Sequence, residues 1–181
     1  MNNIIANYID LLLKYKKQTN IIGTNKREEI KTIIRDSIIN IPSKSYVLDF
    51  GTGAGIPGLP NKIYNPSIEI SFLDKSRKKM NILTHILLTL NIKHDKILTG
   101  LASKFFQKYE SSFDIVLSRG VGNAEYVLQN SLPFLKSTGT IYLWKPKNFN
   151  GVSFSKSKYN ICSINVITKK DCKIVKLDIK K

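Results

Sequence analysis

Apolar residues recur at helical spacing over residues 3–17, where Ile5, Ile9, Leu12 and Leu13 share a stripe with Tyr8 and Tyr15. A second helix is predicted from Lys26 to Asn40, with Ile30, Ile33, Ile34 and Ile38 on its inner face and Pro42 ending it. From Ser45 onward, short apolar runs alternate with helical stretches. Strands are predicted at 46–50, 68–73, 96–99, 113–118 and 139–144, and helices at 76–90 and 124–135. This alternation implies right-handed crossovers and a parallel sheet covered on both faces. After Lys145 a period of two returns, and 160–168 with 172–179 read as an antiparallel pair closing one edge. Lys156, Lys158 and the lysines of the last strand suit an exposed edge that must resist aggregation. The predicted organisation is α/β, with a helical extension over residues 1–42 and one globular unit over 43–181.

The strongest local signal is Val47-Leu48-Asp49-Phe50-Gly51-Thr52-Gly53-Ala54-Gly55-Ile56-Pro57-Gly58. A strand runs into a turn with alternate glycines and then into a helix whose first turn carries Pro57. Glycine admits positive φ and a close ligand, and the helix start presents N–H groups. Two cofactor classes fit. Gly53 to Gly58 match the dinucleotide G-x-G-x-x-G, with Asp74 where a ribose-binding acid belongs. The register Asp49-x-Gly51-x-Gly53-x-Gly55 instead resembles motif I of class I S-adenosylmethionine methyltransferases. A carboxylate beside the turn attracts an ammonium and a sulfonium and repels a pyrophosphate.

Composition narrows the partners. With 181 residues, 42% of them hydrophobic, the chain can bury a core without disulfides, and no apolar run approaches a membrane span. The N-terminus lacks the basic region of a signal peptide, and Cys162 and Cys172 alone make neither a disulfide framework nor a zinc site, so a reduced cytoplasmic setting is expected. The net charge of +16 favours a polyanion, nucleic acid before membrane. Only Arg27, Arg35, Arg77 and Arg119 are arginines, however, so a general drift toward lysine competes with a selected patch.

Taken together, the motifs resemble the RsmG (GidB) family of small-subunit rRNA guanine-N7 methyltransferases over residues 5–147. Thr19 to Ile22 and Ile34 to Ser37 resemble its "N-L-T" and "H-I-L-D-S" segments, and Val47 to Pro60 its "V-L-D-V-G-T-G-x-G-x-P-G-I-P". Leu73-Asp74 with Lys78-Lys79 is similar to "L-D-S-x-x-K-R", and Phe113 to Arg119 to "F-D-x-V-x-S-R-A". The chain departs from the pattern at Arg35, at Ser103 or Lys104 where an acid is usual, and at Trp144-Lys145-Pro146.

The resemblance implies a Rossmann-like class I methyltransferase fold with a mostly parallel seven-stranded sheet. It also implies S-adenosylmethionine as cofactor and methylation of N7 of guanine 527, in the 530 loop of 16S rRNA in the small ribosomal subunit. The cofactor contacts it implies are Asp49, Gly51, Gly53, Gly55 and Ile56 in the loop, Asp74 at the ribose, Ala102 and Ser103 at the adenine, and Arg119 at the junction with the substrate. Arg119 would orient cofactor or guanine, while Arg35, Lys75, Arg77, Lys78, Lys79, Lys145 and Lys147 would contact RNA. No metal and no membrane are implied, and a monomer is expected. Guanine N7 carries a free lone pair at neutral pH, so no general base is required and orientation is the enzyme's main work. The chain has no Asn/Asp-Pro-Pro-aromatic motif of amino-group methylation. Two rivals stand beside this reading: a nicotinamide oxidoreductase, and an rRNA-binding protein of the same fold that has lost catalysis.

Overall fold

The computed structural model describes residues 2–151 and 158–181, so Lys156 lies outside the described residues. The elements in chain order are α1 (Asn2–Lys16), α2 (Arg27–Ser37), β1 (Tyr46–Phe50), α3 (Gly58–Tyr64), β2 (Glu69–Asp74), α4 (Arg77–Thr89), β3 (Ile97–Thr99), β4 (Phe113–Arg119), α5 (Ala124–Ser131), β5 (Leu135–Pro146), β6 (Ile161–Thr168) and β7 (Cys172–Lys180), with a short 3-10 turn at Ala102–Phe105. The strands form one sheet in the order β3-β2-β1-β4-β5-β7-β6. Neighbours from β3 through β5 are parallel, and β7 runs antiparallel to both β5 and β6. This is the Rossmann-like architecture expected. The order reverses between β1 and β4, which opens a crevice at the carboxyl ends of those strands.

Strand parity divides the core. Val47, Ile70, Phe72, Ile115 and Leu117 face one side, where α1, α2 and α4 supply Tyr8, Leu12, Ile30, Ile34, Leu83 and Ile86. Leu48, Phe50, Leu73 and Val116 face the other side and meet Val127 and Leu128 of α5. The first two helices therefore complete the cover of the sheet.

Several boundaries differ from expectation for identifiable reasons. α2 stops at Ser37, because the buried amide of Asn61 accepts from Ile39 N–H and donates to the Ser37 carbonyl, holding the following residues extended. α5 ends at Ser131, since Pro133 cannot continue it. β5 begins earlier, at Leu135, where it pairs with Phe113. β7, expected at the exposed edge, is paired on both sides, and the edge is β6, whose Val166 is 54% exposed. Among the described residues no helix is long and apolar enough to cross a membrane.

Candidate functional site

A cavity of about 800 Å³ occupies the crevice. Its walls come from the loop after β1 (Gly51 to Ala54 and Ile56), the end of β2 (Asp74, Lys75), Leu101 and Ala102 after β3, and Arg119 to Gly122 after β4. The segment between α1 and α2, Asn20 to Gly23, closes one side.

The loop holds its shape through polar contacts within the chain. Gly51 N–H and Thr52 N–H donate to the Leu73 carbonyl at 2.8 and 3.0 Å. Gly53 N–H donates to Asp74 Oδ2 at 2.9 Å, and the other oxygen of Asp74 accepts from Ser76 N–H. Gly55 N–H and Ile56 N–H donate to the Thr52 carbonyl. Gly51 lies at φ 73°, and a Cβ there would overlap the side chain of Val121, so this position requires glycine.

Asp49 sits beneath this loop, fully buried. Its Oδ2 accepts from Thr52 Oγ1 at 2.6 Å and from Gly58 N–H at 2.9 Å, while Oδ1 has no hydrogen-bond partner among the described residues. Burial pushes its carboxyl up to about 7; the bonds from Thr52 and Gly58 pull the other way, and the Asp74 carboxylate adds to the rise. The start of α3 is thus occupied by the chain's own acid. Pro57 precedes that helix instead of opening its first turn, and α3 is only seven residues long, so the expected array of helix N–H groups facing a ligand is not formed.

Of the residues singled out from sequence, Gly51, Gly53, Ile56, Asp74, Ala102, Arg119, Lys75 and Lys79 meet at the cavity. Asp49, Gly55 and Ser103 stand off its wall. Asp49 shares the strand face of Val47 and points under the loop. Gly55 packs toward Leu83, Leu59 and Tyr8, and Ser103 is exposed on the 3-10 turn, leaving Leu101 beside Ala102. Arg77, Lys78, Lys145 and Lys147 also lie outside the wall. Lys78 donates to the Gln18 carbonyl, and Arg35 contacts Asp36 at 3.4 Å.

Arg119 is half-buried, and its guanidinium reaches Ser37 Oγ at 3.4 Å. Desolvation lowers its affinity for the proton, offset by nearby Cys172, Asp36 and Tyr8. Asp36 is buried as a brace that accepts from Asp171 N–H, and Trp144 Nε1 donates to the Asp36 carbonyl, so that indole belongs to the core. Val121 and Tyr126 also line the cavity, and sequence patterning gave them no signal beyond that of ordinary loop and helix residues.

The family model described as "rRNA small subunit methyltransferase G" (GidB) matches residues 1–178. A ribosomal RNA small subunit methyltransferase G from Moorella thermoacetica is 35% identical over 150 residues, covering 78% of this chain and 62% of the relative. One from Clostridium novyi is 33% identical over 145 residues, covering 76% and 60%. The chain thus spans roughly three fifths of the length of these relatives. Among solved structures, M. jannaschii TYW2 in complex with AdoMet superposes with a TM-score of 0.64 at 15% identity, covering 88% of this chain and 78% of that one, a likeness of fold.

Proposed function

The chain belongs to the rRNA small subunit methyltransferase G family, and on that premise we propose that it transfers a methyl group from S-adenosylmethionine to N7 of a guanine in 16S rRNA, in the 530 loop of the small ribosomal subunit. One observation carries this reading over the dinucleotide alternative. The loop spends its N–H groups on Leu73, Thr52 and Asp74, and Asp49 occupies the start of α3. A pyrophosphate would meet few free donors and the Asp74 carboxylate on the wall, whereas a cationic ligand meets an acid there.

The residues present fit such a ligand. Asp74 lies on the cavity wall with a carboxylate suited to ribose hydroxyls, Leu101, Ala102 and Ile56 offer apolar surface to an adenine, and Gly53 leaves room for close backbone approach. S-adenosylmethionine supplies, when bound, an electrophilic methyl group on a sulfonium. Arg119 stands between the cavity and the α2 terminus, where its planar fork can hold a guanine edge or a phosphate. N7 needs no proton removed, so the chain's contribution is alignment and exclusion of water. Lys75 and Lys79 on the rim, with Lys145 near the end of β5 and Lys147 just past it, suit the RNA backbone. Among the described residues none of these four forms an ion pair, whereas Lys96 and Lys136 are paired to Asp95 and Asp114.

The test is methylation of 16S rRNA or 30S particles with labelled donor. Label at guanine N7 is expected, and Gly51→Ala, which forces Val121 aside, should weaken donor binding at least about tenfold, roughly 1.4 kcal/mol. Calorimetric binding of NAD without binding of S-adenosylmethionine would favour the oxidoreductase. Donor binding without transfer to any RNA would favour the inactive binding protein.

A further inference from the structure

We propose that Tyr8, on the first helix, is a positioning residue of the donor site: its phenol holds the outer turn of the glycine loop from the core side and makes α1 part of the cofactor machinery. The proposal rests on the methyl-donor reading above. Tyr8 is fully buried, and its hydroxyl donates to the Ala54 carbonyl at 2.7 Å across 46 positions of sequence. A Cβ on Gly55 would sit 3.3 Å from that hydroxyl, so the phenol, with Leu83 and Leu59, closes the space this glycine leaves on the core side. On the opposite side, Asp74 takes Gly53 N–H at 2.9 Å. Gly53 and Ala54, both on the cavity wall, are therefore gripped from two sides, by an acid facing the ligand and by a hydroxyl facing the core.

A loop with Gly51, Gly53 and Gly55 all at positive φ is costly to order. Removing the hydroxyl leaves a carbonyl in a nearly buried residue without that partner and gives the turn alternatives that the donor must suppress on binding. The loss falls on donor affinity. At saturating donor the ligand itself orders the loop, so turnover is preserved.

The experiment compares full-length wild type, Tyr8→Phe and Tyr15→Phe. The last removes a hydroxyl from the same helix, but one that meets His85 away from the loop. Calorimetric Kd for S-adenosylmethionine and S-adenosylhomocysteine, KM for donor, KM for RNA, kcat and Tm are measured for each. For Tyr8→Phe, a rise of roughly three- to tenfold in donor Kd and KM is expected, with kcat within about twofold and KM for RNA unchanged. Tyr15→Phe should match wild type in donor binding. A Tyr8→Phe protein with lowered Tm and unaltered donor Kd overturns the proposal, as does equal weakening by Tyr15→Phe or a fall confined to kcat. A wild type that binds no donor overturns the methyl-transfer function and the role of Tyr8 with it; a wild type that binds donor beside an unchanged Tyr8→Phe overturns the role of Tyr8 alone.

Discussion

At the scale of single residues, Asp49 shows how burial redirects a charged group. Parity along β1 places it on the face of Val47, under the loop, where it ties Thr52 to the first residue of α3. Its bare Oδ1 accommodates a proton without disturbing either bond at Oδ2. The folded carboxyl titrates near 7, and the free one near 3.8. The folded state therefore binds more protons than the unfolded state between about pH 4 and 7. This group's contribution is complete below pH 4 and is lost as pH rises to about 7, at most about 4 kcal/mol. Asp49→Asn removes that dependence. The stability of wild type minus that of Asp49→Asn, measured by urea unfolding, should fall as pH rises from 4 to 7 and flatten above. A difference constant across that interval would show that the buried carboxyl does not change charge there.

At the scale of elements, α1 and α2 read from sequence as a helical extension, yet Tyr8, Ile9 and Leu12 are buried against the same cluster as Val47, Ile70 and Phe72. Each such side chain is worth about 1.5–3 kcal/mol, so removing three of them approaches the whole stability of a typical domain. Deletion of residues 2–16 should therefore yield a protein without a cooperative thermal transition by circular dichroism. A truncated chain that melts near the wild-type temperature would refute this. The elements themselves were legible because their signals are local: alternation of period in α4 and β1 and the turn chemistry after β1. What was not legible depends on distant partners. Asn61 ends α2 from another helix, β7 lies inside the sheet because β6 pairs outside it, and Tyr8 reaches Ala54 across the core. The site divides in the same way. Gly51, Gly53, Asp74 and Arg119 follow from spacing and strand ends, whereas Leu101 replaces Ser103 through the orientation of a 3-10 turn that no period encodes.

At the scale of the molecule, the +16 charge places cations at both ends of the sheet. Lys96 precedes β3 and Lys136 sits near the start of β5, each paired to a carboxylate, Asp95 and Asp114. At the carboxyl ends of the strands, Lys75 and Lys79 flank the cavity, Lys145 lies near the end of β5 and Lys147 just past it, with no ion pair among the described residues. Cations so placed release counterions from RNA in proportion to the phosphates they meet. RNA affinity should therefore fall steeply between 50 and 200 mM salt, by roughly ten- to a thousandfold for a few phosphate contacts on a single or double strand. Replacing Lys75 and Lys79 with Gln should flatten the slope of log affinity against log salt by about one to two, while Lys96→Gln, an already paired cation, should leave it nearly unchanged. The contrast between the two ends of the sheet is the deciding measurement. Equal effects from both would mean that RNA responds to total charge, and the cavity side would lose its claim to be the docking face.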